Sequence, residues 1–283
     1  MRLERAVVVV LAILAILAAP AAAAAADLDV MLEHSSATFP NRHTAEASTA
    51  TLALDLAPDE RTWIRLEVPV LRARSSQTLL TRLGFTPRVR QALAEGNPRL
   101  SEPVQGEWHS GLGDARLAFF RDLAGGGAKL FRMTGELEVK APTGEEERGL
   151  GSGAWDARIG LAGERRFWSM TLFGGAGYNR LGDTARVVLD DVADGYLGIE
   201  SEPGWRGLRG SVWVEGHGEV LPGGGERAAA GLGLRSSGMR PWKLSGTAGL
   251  TDGSEDFRVL FGVSVATLEG GASRKRPAGA RPE

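Results

Sequence analysis

Polar and apolar side chains take turns along most of this chain. Between Ala128 and Ala141, the residues Phe131, Met133, Gly135, Leu137, Val139 and Ala141 fall on one face, and Arg132, Thr134, Glu136, Glu138 and Lys140 on the other. A period of two puts successive side chains on opposite faces of a strand, whereas the same charges would scatter around a helix axis. The pattern recurs. Ile64, Leu66, Val68 and Val70 alternate with Arg65, Glu67 and Pro69, and Ala115, Leu117 and Phe119 with Arg116 and Ala118. Trp155, Ala157, Ile159 and Leu161 alternate with Asp156, Arg158 and Gly160. Leu208, Gly210, Val212 and Val214 alternate with Arg209, Ser211, Trp213 and Glu215, and Phe257, Val259, Phe261, Val263 and Val265 with Arg258, Leu260, Gly262 and Ser264. The pattern predicts about twelve strands, near residues 27–35, 46–57, 61–72, 112–123, 128–141, 154–163, 166–178, 192–202, 205–220, 227–236, 242–251 and 257–267. Each is long enough to cross a hydrocarbon layer at a tilt of ~45°.

The connections sort by parity. Every second one is a short turn: Pro58 to Glu60, Ala124 to Gly127, Glu164 with Arg165, Pro203 with Gly204, and Ser237 to Pro241. The others are mostly longer: Ser36 to Ala45, Ala73 to Gly111, Pro142 to Gly153, Asn179 to Asp191, Leu221 to Glu226 and Asp252 to Asp256. Outer-membrane barrels place tight turns in the periplasm and longer loops outside, so this parity puts both termini in the periplasm. A soluble sandwich would also alternate, with its apolar faces meeting in a core. Three features favour the barrel. The apolar faces accept glycine and alanine, where a dry core calls for bulky packing. The polar faces carry long side chains of both signs, such as Arg132 with Glu136 and Arg158 with Asp156, which can pair across strands. Aromatic residues sit near strand ends, at Trp63, Trp155, Trp168, Tyr178, Trp205 and Trp242, as in the girdles of membrane barrels. The predicted fold is an all-β, transmembrane, antiparallel up-and-down β-barrel. Its lumen-lining candidates are Arg65, Glu67, Arg116, Arg132, Glu136, Glu138, Lys140, Asp156, Arg158, Arg209, Glu215, His217 and Arg258.

The first 26 residues read as a signal peptide. Arg2 and Arg5 precede an apolar run from Ala6 to Ala19, Pro20 breaks it, and Ala24-Ala25-Ala26 before Asp27 is a small-x-small cleavage site. The barrel is expected over residues 27–268, and the polar stretch Glu269 to Glu283, with Arg274-Lys-Arg276, is expected to be disordered. Within the long outer loop at 73–110 the period changes. Thr86 could cap a helix from Pro87 to Glu95, ended by Gly96, and Leu79, Leu80 and Leu83 suggest a short helical turn before it. Such an insert either folds inward as a constriction or caps the rim as a solvated loop.

Composition narrows the functional classes. With 33 basic and 35 acidic residues the chain has no net basic face for nucleic acid. With no cysteine it has no thiolate metal site, thiol nucleophile or iron–sulfur cluster. The four histidines, His34, His43, His109 and His217, lack metal-ligand spacing, and no Gly-x-Ser-x-Gly elbow occurs. His217 is expected in the lumen with Glu215 and Glu219 on its face, and Ser152 lies between glycines in a turn. No cofactor or metal is expected.

The segment Glu138-Val-Lys-Ala-Pro-Thr-Gly144, followed by Gly149-Leu-Gly-Ser-Gly153 and Asp156, resembles the signature of the outer-membrane β-barrel family named after the meta-pathway of phenol degradation. Members of that family carry a lysine-x-Pro-Thr-Gly turn, a glycine-rich stretch and an aspartate opening the next strand. Gly111-Leu-Gly-Asp114 resembles its Gly-x-Gly-Asp element, and Gly249-Leu-Thr-Asp-Gly253 its terminal hairpin. The resemblance spans Gly111 to Val265 and marks Pro142, Thr143, Gly144, Gly151 and Gly153 as the motif turn. It implies an outer-membrane barrel of transporter type without catalytic residues. The chain departs from it at Val265-Ala-Thr-Leu268, where barrels tend to end on an aromatic residue read by the insertion machinery. Proline ends strand pairing in the motif turn, and Glu145, Glu146, Glu147 and Arg148 fall at its tip, either as a charged mouth for divalent cations or lipopolysaccharide or as a solvated loop.

The sequence therefore points to a bacterial outer-membrane barrel that passes small solutes, hydrophobic or aromatic ones included. Its partners would be outer-membrane lipid, the barrel assembly machinery and the solute. A structural or adhesive barrel with a plugged lumen is the alternative, and a lipid-acting enzyme the third reading. For about twelve strands the interior falls between side-chain-filled and open-channel sizes.

Overall fold

The structure, a computed structural model, describes residues 25–38, 44–74, 78–81, 83–87, 107–125, 131–183, 188–204, 207–220, 225–237, 240–251 and 254–268. The described strands are β1 (Ala25–Thr38), β2 (Thr44–Asp59), β3 (Thr62–Arg74), β4 (Thr78–Thr81), β5 (Gly84–Pro87), β6 (Trp108–Leu112), β7 (Ala115–Gly125), β8 (Phe131–Ala141), β9 (Asp156–Phe167), β10 (Met170–Arg180), β11 (Val192–Ser201), β12 (Leu208–His217), β13 (Arg227–Ser236), β14 (Trp242–Gly249) and β15 (Phe257–Leu268). Apart from the β4–β5 hairpin, all join one antiparallel sheet. Neighbours in the chain are neighbours in the sheet, and β1 pairs both β2 and β15, so the sheet closes on itself. β6 and β7 together make one staircase along β3. Trp108–Leu112 pairs with Val70–Arg74, and Arg116–Arg121 with Thr62–Glu67. Between them Gly113 donates to the Pro69 carbonyl at 2.9 Å, which carries the ladder across a break at Gly113–Asp114. Counting β6–β7 as one, the wall has twelve strands. Closure removes the unpaired edges that an open sheet would expose.

Polarity is inverted relative to a water-soluble fold. Leu32, Leu52, Leu137, Leu161, Leu197, Val214, Leu232 and Phe261 are exposed on the outside of the wall. Asp29, Glu67, Glu136, Lys140, Asp156, Arg158, Asp194 and Glu200 are buried on its inside. Large apolar faces cost free energy in water in proportion to area, so an unbroken apolar outside is stable only in lipid. No described helix is long and apolar enough to cross a membrane; the crossing elements are the strands. Backbone donors and acceptors are satisfied between strands, as the hydrocarbon layer requires.

The end that carries the tight turns also holds Ala25 and Leu268, and by the loop rule it faces the periplasm. There the Asp59 carboxylate accepts the Arg61 amide at 2.7 Å, which holds its pKa below the usual carboxylate range. The stabilisation this gives the turn is present at neutral pH and lost as pH falls through that lowered value.

Four expectations need correction. The turn placed at Glu164 with Arg165 lies four residues later, at Trp168–Ser169. Alternation persists through both residues, because Glu164 points inward toward Arg132 while Arg165 stays outside over the Phe167 ring. Leu79 and Leu80, read as part of a helical turn with Leu83, lie in the β4–β5 hairpin, where Leu79 pairs with Thr86 and Leu80 with Phe85. Thr86 and Pro87, expected as the cap and first residue of a helix, lie instead in strand β5. Trp63 belongs to no outer girdle: it shares the parity of Arg65 and stacks on Phe120 inside the wall, ring centroids 5.0 Å apart. Trp155, Trp168 and Tyr178 do lie exposed. Trp205, the stretch 88–106 that holds most of the expected helix, residues 1–24 of the expected signal peptide, and the tail 269–283 lie outside the described residues.

Candidate functional site

The inner wall is laced by ion pairs between near neighbours. Arg65 on β3 donates to Asp55 on β2 at 2.8 Å and reaches Glu67 at 3.5 Å and Asp29 at 3.8 Å. Arg132 on β8 forks Asp122 on β7, at 3.0 and 2.7 Å, and approaches Glu164 on β9. Arg158 on β9 joins Glu136 on β8 to Asp194 on β11. Arg209 on β12 and Arg235 on β13 share Glu200 on β11. Arg258 on β15 meets Glu215 on β12, and the Trp213 indole donates to that same carboxylate at 3.2 Å. His217 hydrogen-bonds the Gly218 carbonyl through Nδ1 at 2.7 Å. Arg116 and Glu138 occupy inward positions of β7 and β8, in register with Lys140 and Ala118. Each of these pairs ties strands at most three apart on the wall. In these pairs the charged side chains run along the wall.

Bare backbone lets them lie down. Phe173, Tyr196 and Trp213 form a buried inward cluster on β10, β11 and β12. A Cβ at Gly231 would stand 2.2 Å from the Trp213 ring, and one at Gly175 would stand 2.8 Å from the Tyr196 ring. The Arg158 guanidinium covers Gly160 and Gly177 in the same way. Large groups thus fill the space over glycines on the inner wall. Close approach of this kind explains much of the glycine that the sequence showed only as composition.

The outer mouth is covered by two segments. The first is the loop between β8 and β9. Leu150 on this loop is 1% exposed and packs among Ala37, Ala45, Ala47, Leu71 and Ala73, which belong to the outer ends of β1, β2 and β3. The loop therefore reaches over the mouth from β8–β9 to the β1–β3 wall. The second is the β4–β5 hairpin. Leu83 at its turn packs against Leu181, Leu189, Val192 and Val220, which belong to the outer ends of β10–β13 and their loops.

The motif residues hold the first segment in place. Asp114 accepts from Lys140 Nζ at 2.7 Å and from the Gly144 and Ser152 amides at 2.9 Å each. Lys140 also donates to the Ser152 hydroxyl and the Ala154 carbonyl, and lies 3.2 Å from Asp156. Asp156 in turn accepts the Gly182 amide at 3.1 Å. The Thr143 hydroxyl accepts from Ala115 N and donates to Gly113 O, tying the turn after Pro142 to the β6–β7 break. A Cβ at Gly151 would stand 2.3 Å from Asp114, and Gly153 takes φ +75°, so each position accepts only glycine without strain. Glu146–Arg148 forms one 3-10 turn, and Arg148 pairs with Glu145 at its exposed tip. A serine beside a lysine has the look of a nucleophile and its base. Here the ammonium donates to acceptors on every side and Ser152 is fully buried, so the pair works as a clasp.

Sequence reasoning passed over Asp114 as a site residue, along with Leu150, Asp194, Glu200, Arg235 and the glycine pavement. Asp194, Glu200 and Arg235 were legible as inward positions by the same parity that selected their neighbours. Leu150 carried no signal, because packing between distant loops has no period. Among the described residues no group of histidine, aspartate and glutamate side chains could hold a metal.

At the level of sequence, no family profile and no curated protein matches the chain. At the level of structure it is similar to an outer-membrane channel from Pseudomonas putida F1, with a TM-score of 0.60 at 14% identity over 89% of this chain and 97% of that one. It is also similar to the β domain of the Bordetella autotransporter BrkA, with a TM-score of 0.50 at 12% identity over 84% of this chain and 98% of that one. The fold is that of bacterial outer-membrane β-barrels. These neighbours span nearly their whole length, and the inverted polarity fits the same membrane setting.

Proposed function

We propose that the chain is a passive outer-membrane channel for small solutes, with a constricted outer mouth. The observation that carries this reading is that charged and aromatic inward groups pair along the wall and lie over glycines, an arrangement that favours a polar lumen. Likeness to a protein described as an outer-membrane channel supports it. The clasp of Asp114, Lys140, Ser152 and Asp156 gives a physical purpose to the sequence signature that resembles the family named after the meta-pathway of phenol degradation, and this supports membership of that family as part of the proposal. The Ser152–Lys140 pair, among the described residues, is a closed clasp and offers no free nucleophile. A plugged structural barrel is the second reading, favoured by the two segments over the outer mouth.

Single-channel recording in planar bilayers separates the two. The unmodified barrel is expected to give a small conductance, and the variant Leu83→Ser/Leu150→Ser, which undocks both covering segments, a conductance several-fold higher. No current from either folded protein would leave the plugged barrel as the correct account. Folding is checked by heat-modifiable gel mobility, because closed barrels resist unfolding in detergent until boiled.

A further inference from the structure

We infer that the periplasmic half of the lumen contains a binding subsite for small organic carboxylates, built on Arg209 and Arg235. The inference deepens the channel reading by naming the class of solute. It starts from the register. Arg209 on β12 stands directly opposite Arg235 on β13, and Arg235 directly opposite Lys243 on β14, all three inward-facing and within two residues of the periplasmic ends of their strands. Like charges in direct cross-strand register repel. Glu200 offsets the arrangement only in part. Arg235 forks it, Nε to Oε2 at 2.6 Å and Nη2 to Oε1 at 2.5 Å, and Arg209 Nη1 reaches the same Oε1 at 3.1 Å. Two guanidinium groups share one carboxylate, so a unit of positive charge is left over. Among the described residues, Arg235 Nη1 and Arg209 Nε and Nη2 meet no acceptor.

These are also among the most accessible cations of the inner wall. The Arg209 and Arg235 side chains are 22% and 33% exposed, against 1% for Lys140 and 2% for Arg158. The row above them is built for a small guest. It consists of Ser211, Gly233 and Ser245 in register, and the Trp213 ring leans over Gly233. Two hydroxyls and an indole then stand beside a guanidinium pair whose geometry suits a planar carboxylate in two-point fashion. Lys243 lays its stem over Gly262 on the flank of the pair.

The test measures butyrate binding to the detergent-solubilised barrel by calorimetry, with butyramide as the uncharged isostere and current block recorded in parallel. Butyrate is expected to bind and butyramide not to. Glu200→Gln keeps both arginines and removes the competing carboxylate, so butyrate should bind about tenfold more tightly, the order expected when a unit charge a few ångströms away is neutralised. Arg209→Gln/Arg235→Gln/Glu200→Gln, which leaves no unpaired charge, should lose the binding. Equal binding of butyrate and butyramide, or no gain in Glu200→Gln, overturns the subsite. Butyrate binding without any current would instead sustain the subsite and overturn the channel.

Discussion

Lys140→Met is expected to cost the barrel about 3–5 kcal/mol, the magnitude seen when one partner of a buried ion pair is removed. Lys140 is 1% exposed and stands between Asp114 and Asp156, themselves buried. Without the ammonium, two carboxylates face each other with no cation between them, and the Ser152 hydroxyl and Ala154 carbonyl lose their donor. The segment held by the clasp should then leave the mouth, withdrawing Leu150 from the β1–β3 wall. Two readouts follow: a lower urea midpoint for unfolding in vesicles, and a higher single-channel conductance. Neutralising the whole cluster, with Lys140→Met/Asp114→Asn/Asp156→Asn, should recover much of the stability, because isolated charges and not the loss of contacts carry the penalty. If the single and triple variants unfold at the same midpoint, the electrostatic account of the clasp is wrong.

Gly231→Val is expected to act in the opposite sense on conduction. The new side chain would occupy the place where the Trp213 ring lies against β13. The ring has to swing off the wall toward the axis, breaking its hydrogen bond to Glu215. Overpacking of this kind costs about 1–3 kcal/mol, and the displaced indole narrows the lumen. Conductance is expected to fall several-fold. Adding Trp213→Ala to Gly231→Val should restore it, since the obstruction is the ring and not the valine. Unchanged conductance in Gly231→Val would show that the Trp213 wall does not bound the path.

What could be read from the sequence was what has a period. Ile64 to Val70, Phe131 to Ala141 and Phe257 to Val265 declared their two faces, because each strand has one side in lipid and one in the lumen, and a single slip of register would exchange them. The same parity governs Trp63, which position near a strand end had assigned to the girdle; its odd number, shared with Arg65 and Glu67, was the better guide. The clasp was half legible. Lys140, Pro142, Thr143, Gly144 and Asp156 stood out through resemblance, but nothing local said that Asp114, in another strand, accepts from Lys140 and two amides of the turn. The cover over the mouth was illegible. Leu150 docking on the alanines of β1 and β2, and Leu83 on Leu181 and Leu189, are contacts between loops far apart in the chain, set by where the closed wall places its rims. The β4–β5 hairpin was misread because Leu79, Leu80 and Leu83 fit a helical spacing as well as a strand, an ambiguity inherent in short apolar runs.

The central claim is that one face of each strand meets lipid and the other meets the lumen. The chain has no cysteine, so single cysteines can be introduced without background and spin-labelled. Labels at Glu136, Leu137, Glu138 and Val139 on β8, with the protein in lipid vesicles, report collision with oxygen dissolved in the bilayer and with a water-soluble nickel complex. Leu137 and Val139 should show the greater oxygen contact, and Glu136 and Glu138 markedly less. Equal oxygen contact at all four, or the reverse order, would contradict the inside-out barrel described here.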